Sequence, residues 1–481
     1  MPLNEECAVA AVYSKKNDAA FHLHKMLLQQ QHRGQLSAGI AVYDKSSTGL
    51  IHNRRRLGKV ENLFKLYHKE KFENILKNNS GKIGIGHVRY ATSGSNDEEL
   101  AQPFERHHGL KDKSFNFAFN GNIENYSELK EEAEKEGFTF YKNVDTELIK
   151  YLICKELSKN RPLKQVFNNL SKKLKGSYSI VLVNGNGELV IARDPHGFKP
   201  LCYTINKQGF FAASESVAIN NDGENEIQNV KAGEMITVSD KGIKKEFFAK
   251  SKRISHCMFE WAYFASPNSV IENKSVYEVR QNLGKILANQ EKTFYSTKDF
   301  IVVSVPDTAK PIGDALAYEL DLPSMEGILR NRYIGRTFIE EENREEKVRE
   351  KYSIVKSVLK DKKVILVEDS LVRGTTTKGL IQRIKKYGEA KEVHLRVACP
   401  PILSPCYYGI DIKTKGELLA TPYVKNIKKG LTKKQNNKLA KDYGADSLIY
   451  LPIERLPEAI GINKEKLCMA CLNGEYPTRK C

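Results

Sequence analysis

The stretch Val364-Ile-Leu-Val-Glu-Asp-Ser-Leu-Val-Arg-Gly-Thr-Thr-Thr377 constrains the fold of this chain more than any other. Val364 to Val367 are apolar in succession, which predicts a parallel strand buried on both faces. Glu368 and Asp369 then fall at the carboxyl end of that strand, where open α/β sheets place their ligands. Lys378 to Lys385 read as helix. Arg373 to Thr377 therefore offer backbone N–H groups and three hydroxyls at a helix N-terminus, a natural anion site. A ligand with a phosphate at one end and hydroxyls in the middle would need both parts: the loop for the phosphate, the acids for the hydroxyls or a hydrated Mg²⁺. An ordinary strand, turn and capped helix with solvated acids would give the same local pattern.

The flanking sequence extends the parallel-sheet reading. Ser275 to Phe294 reads as helix, Phe300 to Val305 as a buried strand, Ile312 to Glu319 as helix and Glu392 to Val397 as another strand. Such alternation predicts α/β architecture. The first half reads as mixed α+β. Ser179–Val183 and Glu188–Ala192 flank the turn Asn184-Gly-Asn-Gly187, residues 234–243 form a second hairpin, and 125–135 and 145–157 read as helices. A chain of 481 residues exceeds one ordinary core, so two or three domains are expected, with a boundary near 240–255.

Hydrophobic residues make up 40% and charged residues 28%, as in soluble globular proteins. No run suggests a membrane span, and Met1 to Cys7 lacks the character of a secretory signal. Nine scattered cysteines favour a reducing, cytoplasmic setting, with thiols kept for catalysis or metal. The net charge of +18 raises the question of nucleic acid. The densest basic stretch, Lys425 to Lys441, is Asn-rich without interleaved aromatics and reads as a solvated insertion, so nucleic acid is not expected as a partner. Residues 340–351 are nearly all charged and read as an exposed helix start or a mobile segment.

The 364–377 motif resembles the phosphoribosyl pyrophosphate (PRPP) loop of type I phosphoribosyltransferases. In the first half, Cys7, His32-Arg-Gly-Gln35, Gly86-His-Val-Arg-Tyr-Ala-Thr92 and Phe119-Asn-Gly-Asn122 resemble, in order, the N-terminal-nucleophile (Ntn) glutamine amidotransferases. Taken from Cys7 to about Arg479, the chain is similar to the amidophosphoribosyltransferase family. That resemblance implies an Ntn αββα sandwich over residues 7–250 and a type I phosphoribosyltransferase parallel-sheet domain over 251–481. It also implies removal of a propeptide, residues 1–6, to free Cys7 as an amino-terminal nucleophile whose own α-amine, titrating near 8, takes the thiol proton. It assigns oxyanion donation to Asn120 and Gly121, and glutamine contacts to Arg33, Arg89, Thr92 and Asp145. At the second site it assigns PRPP contacts to Asp307, Thr308, Arg332, Arg336, Glu368, Asp369, Ser370, Arg373, Gly374, Thr375 and Thr376, with Mg²⁺ near Thr308, Glu368 and Asp369. The segment Arg330 to Ile339 resembles the family's lid, which closes on PRPP and shelters ammonia between the sites. One departure is Ala8, where the family has glycine after the nucleophile.

Cys257, Cys406, Cys468 and Cys471 remain. Their spacing alone accommodates Zn²⁺ or an iron–sulfur centre. They resemble the family branch that holds a [4Fe–4S] cluster, implying one cluster per subunit with a structural role. Cys154, Cys202, Cys399 and Cys481 receive no role. The function implied is conversion of PRPP, L-glutamine and water into 5-phospho-β-D-ribosylamine, L-glutamate and pyrophosphate, the step that opens purine (IMP) biosynthesis. AMP and GMP are implied as feedback inhibitors, and a homodimer or homotetramer as the assembly. Competing readings are glutamine transfer to another acceptor, such as a sugar phosphate, and a catalytically silent PRPP or purine-nucleotide sensor.

Overall fold

The computed structural model describes residues 7–46, 50–90, 97–220, 225–291, 298–331, 351–424, 426–427 and 430–478. The propeptide, Thr92, Arg332, Arg336 and the charged run 340–350 lie outside them.

The first half forms two stacked sheets, one of seven strands and one of six. Ala8–Ser14 lies at the centre of the seven-stranded sheet, between Gly209–Ala213 and Ile83–Arg89. Its alternation divides two cores. Val9 and Ala11 face the second sheet and pack with Ile85, Val181 and Ile191, while Ala8, Ala10 and Val12 face the Ala19–Gln29 helix through Leu23 and Leu27. The outer face of the six-stranded sheet carries Phe117, Phe119, Ile180 and Leu182, covered by the helices Tyr126–Lys135, Asp145–Ser158 and Leu163–Lys173. The result is a helix–sheet–sheet–helix sandwich. The seven-stranded sheet ends on Ile51–Leu57, with Arg54, Arg55 and Arg56 in succession, and on the two-residue strand Gln228–Asn229. The six-stranded sheet ends on Gly242–Phe247, with Lys244 and Lys245, and on the three-residue strand Phe104–Arg106.

Ala8 causes no distortion. It lies in the strand opposite Val88, fully buried, so the smallest side chain after glycine is accommodated in ordinary extended backbone.

The second half is built on four parallel strands in the order Phe300–Ser304, Lys363–Glu368, Glu392–Val397, Ser447–Tyr450. Val364 to Val367 are buried on both faces, as the unbroken apolar run predicted. Ile365 and Val367 pack under the helices Val276–Ala288 and Lys310–Glu319, while Val364 and Leu366 pack with Leu380 and Ile384 of the helix Thr375–Lys386. Two expectations change. The first helix of this half ends at Ala288 rather than running to Phe294, and 292–297 are not described. The Lys-rich stretch is not simply a solvated insertion: Lys433–Asp442 is a helix with a Thr432–Gln435 capping box, and Leu439 and Ala440 are buried in the core beside Ser447–Tyr450.

Candidate active sites

The central strand of the first sheet delivers Cys7 to the end of the sandwich. Its thiol lies 3.4 Å from the Tyr90 backbone N–H, which donates to it, and 3.5 Å from the Tyr90 carbonyl. Cys7, Arg89, Gly121 and Asp145 line one small cavity of about 30 Å³. Asp145 opens the Asp145–Ser158 helix and accepts hydrogen bonds from the Ile123 and Thr146 backbone, yet burial pushes its carboxyl up to about 6. Burial lowers the Arg89 guanidinium in turn, against the attraction of Cys7 and Asp145. A nucleophile therefore stands beside a cation and an acid, which suits a zwitterionic amino acid with a reactive side chain.

The oxyanion candidates sit on the Phe115–Ile123 strand. Gly121 reaches the cavity, and a Cβ there would collide with the Ser177 carbonyl oxygen. Asn120 is 2% exposed, with its amide nitrogen 3.5 Å from the Ser214 hydroxyl. Behind them His87 donates from Nε2 to the Phe119 carbonyl at 3.1 Å, and burial lowers its imidazole to about 3, so it is a neutral donor.

Arg33 does not line the cavity. Its Nε donates to the Cys7 carbonyl at 3.3 Å, but the guanidinium is buried against Glu215 (2.6 Å) and, through both terminal nitrogens, Glu260 (2.9 Å each). The Arg33 guanidinium, expected at glutamine, here forms an ion-pair strut between the two halves. Burial pushes the Glu215 carboxyl up, and His32 and Arg33 outweigh it, so the group is held well below the ordinary range. The residues flanking Arg33 reach the other site: His32 and Gln35 line a second cavity.

That cavity, about 330 Å³, lies at the carboxyl ends of the parallel strands. Asp307, Thr308, Glu368, Asp369, Ser370, Gly374 and Thr376 all line it. Gly374 takes φ +69°, which lets the loop turn into the helix. Two predicted members are not in the lining. Thr375 opens the helix outside it, and Arg373 is turned onto Glu417 (2.8 Å from Nε) and the Asp411 carbonyl (3.3 Å). Asp307 also holds Arg330 at 2.7 Å. Burial first, and the Asp369 charge second, push the Glu368 carboxyl well up. Burial raises Asp369 too, against the Ser370 hydroxyl and Arg280. Among the described residues the buried Glu368 Oε2 has no hydrogen-bond partner. A divalent cation would meet that oxygen and relieve both acids, so the residues fit Mg²⁺.

Sequence reasoning missed Arg280, Lys351 and Tyr352 in this lining. Arg280 is fully buried and donates to the carbonyls of Trp261, Tyr263 and Ala265, fixing the turn that walls the cavity. The signal was present: an arginine among Val276, Val279 and Leu283 on the buried face of one helix.

The four cysteines gather at the joint. Cys257 and Cys468 sit opposite one another where His256–Cys257 and Leu467–Cys468 pair in parallel. Burial raises the Cys471 thiol, and Cys406, Cys468, Cys257 and the unassigned Cys399 add to it. Among the described residues, no three His, Cys, Asp or Glu side chains are grouped so as to hold a single metal ion.

Comparison with known proteins joins the two halves. A glutamine amidotransferase domain model matches residues 87–221 and a phosphoribosyl transferase domain model matches 271–419. The fold and paired sites thus define a glutamine amidotransferase domain fused to a phosphoribosyltransferase domain. Amidophosphoribosyltransferases of Methanothermobacter thermautotrophicus and Methanocaldococcus jannaschii are each 38% identical, the first over 99% of this chain and 95% of its own length, the second over 98% of both. The solved glutamine PRPP amidotransferase of B. subtilis, complexed with ADP and GMP, superposes with a TM-score of 0.84 at 33% identity, covering 98% of this chain and 97% of its own. The chain belongs to the amidophosphoribosyltransferase family. Among the described residues no helix is long and apolar enough to cross a membrane.

Proposed function

We infer that this protein is a glutamine-dependent amidophosphoribosyltransferase, forming 5-phospho-β-D-ribosylamine, L-glutamate and pyrophosphate from PRPP, L-glutamine and water at the entry to purine biosynthesis. The observation that carries the reading is the pairing of sites: Cys7 beside Arg89 and Asp145, and an acid pair with a hydroxyl-lined phosphate loop, bridged by the His32–Gln35 segment.

With residues 1–6 removed, the Cys7 α-amine takes the thiol proton and the sulfur attacks the glutamine amide carbon. Arg89 holds the substrate carboxylate and Asp145 its ammonium. Asn120 and Gly121 receive the oxyanion. The C–N bond breaks with proton transfer to nitrogen, ammonia leaves, and water hydrolyses the thioester to glutamate. Ammonia then attacks C1 of PRPP, the bond to pyrophosphate breaks with inversion, and the nitrogen loses a proton. Asp307, Thr308, Ser370, Gly374 and Thr376 hold phosphate and ribose, and Glu368 and Asp369 would hold Mg²⁺, which supplies charge neutralisation for the leaving pyrophosphate. Positioning and charge suffice at this site. Arg332 and Arg336, outside the described residues, are proposed to close over it.

The two working units proposed are residues 7–250 and 251–481, in a cytoplasmic homodimer or homotetramer. A [4Fe–4S] centre is proposed on Cys257, Cys406, Cys468 and Cys471, supported by the pairing of Cys257 with Cys468 and by the nearness of Cys257, Cys406 and Cys468 to Cys471. Purine nucleotides such as AMP and GMP are proposed regulators, since a phosphate cleft of this kind suits them and the B. subtilis structure is a nucleotide complex. The test is anaerobic assay of the whole chain. Glutamate release that depends on PRPP, and that disappears in Cys7→Ser, is expected. Glutamine turnover that survives Cys7→Ser refutes the reading.

A further inference from the structure

The loop that follows Cys406 does more than carry a cysteine. The Asn122 side-chain amide donates to the Tyr407 carbonyl at 2.9 Å, and the Ser177 hydroxyl donates to the Tyr408 carbonyl at 2.8 Å. The same Ser177 oxygen accepts the Asn122 backbone N–H at 3.2 Å. Asn122 and Ser177 are opposite partners on adjacent strands, so two consecutive carbonyls of the second half grip one rung of the first. The backbones are close enough that a Cβ on Gly409 would stand 3.6 Å from the Gly121 carbonyl carbon. Tyr408 stacks on Phe198 with centroids 4.1 Å apart, and its hydroxyl meets Thr478, which donates to Glu124 at 2.6 Å.

We propose that Asn122 and Ser177 are positioning residues for glutamine hydrolysis, through which the Cys406–Gly409 loop sets the orientation of the Asn120–Gly121 oxyanion donors. The inference rests on the reading of Cys7 as the glutaminase nucleophile. Each residue has two soft backbone dihedrals. The donor segment is fixed on one side by His87 at the Phe119 carbonyl and on the other by the Tyr407–Tyr408 carbonyls at residue 122. With both ends held, the peptide between Asn120 and Gly121 has little room to rotate, and donors preorganised for the oxyanion cost nothing to reorganise during reaction. Releasing residue 122 leaves substrate recognition by Arg89 and Asp145 in place but loosens the donors. The cysteine-bearing loop thereby becomes part of the glutaminase site although it contributes no atom to it.

The test uses the full chain with Asn122→Ala, Ser177→Ala and the double variant. Four quantities are read: glutaminase kcat, KM for glutamine, inhibition by glutamate γ-semialdehyde, whose adduct with Cys7 needs the oxyanion donors, and ribosylamine formation from added ammonia at the second site. The expectation is a kcat lowered about tenfold, part of the loss seen when one oxyanion donor is removed. KM should stay within about twofold, the aldehyde should bind more weakly by the same factor as kcat, and the ammonia-dependent rate should hold. An unchanged kcat, or a rise in KM alone, overturns the proposal. Parallel loss of the ammonia-dependent rate overturns it too, because the residues would then only hold the fold. Absence of glutamine hydrolysis in the unmodified chain would instead refute the reading of Cys7, and this inference would fall with it.

Discussion

Arg33→Ala should destabilise the joint between the two halves, with a distinctive dependence on pH. Arg33, Glu215 and Glu260 are 1%, 0% and 1% exposed, and Arg33 is the bidentate partner of Glu260 as well as a partner of Glu215 at 2.6 Å. Removing one member of a buried ion pair costs about 3–5 kcal/mol, because the charge left behind keeps its desolvation penalty. Glu215 retains His32, Ser266 and Ser269 after the substitution. In the unmodified chain the folded Glu215 carboxyl lies well below its ordinary 4.5. Its contribution is therefore present above that value and fades as the pH falls through it. In the variant, burial acts with less opposition and the folded pKa rises, so acid stabilises the variant relative to the parent. The stability gap should be full at about pH 7.5 and narrow below about pH 4.5. Urea unfolding followed by fluorescence reads this locally, since Trp261 is the only tryptophan, is fully buried and adjoins Glu260. A loss below about 1 kcal/mol, or a gap that stays constant down to about pH 4, would refute the reasoning.

Glu368→Gln and Asp369→Asn should each lower PRPP-dependent turnover by about 100-fold or more, while thermal melting near neutral pH shifts upward, because burial raises both carboxyls and their ionisation opposes folding; no change in turnover would remove the acid pair from the mechanism. Asp145→Asn should raise KM for glutamine about tenfold, the worth of one charged contact. Its carboxyl is raised to about 6 from 3.8, so the variant should also melt higher at neutral pH, with an advantage that shrinks as the pH falls through that window; a melting difference independent of pH would contradict the burial argument. Iron analysis of anaerobic protein should give about four irons per chain, falling sharply in Cys471→Ser; stoichiometric zinc in its place would replace the cluster.

What was legible depended on sequence distance. The strand at 363–368 and the acids at its end were readable because an apolar run buried on both faces needs no distant information. Asp145 was assigned through the family resemblance, and what the local pattern made readable was the helix it opens. Arg33 could not be assigned from its motif, since its partners lie 182 and 227 residues away and burial of all three decides where its charge goes. Arg373 stands outside the cavity lining for the same reason: Glu417, 44 residues on, draws the guanidinium away from the loop. The Lys433–Asp442 helix has only a narrow apolar face, and its readable signal was the Thr432–Gln435 capping box rather than periodicity.

The rims of the two stacked sheets have a consequence for solution behaviour. An unpaired strand is a template for adding another chain, and its danger grows with length and apolar character. Here two rims are only two and three residues long, and the two longer ones carry Arg54, Arg55 and Arg56 or Lys244 and Lys245. Like charges on a second copy would repel edge-to-edge growth, so this β-rich sandwich is protected against polymerising along its own hydrogen-bonding direction even when crowded.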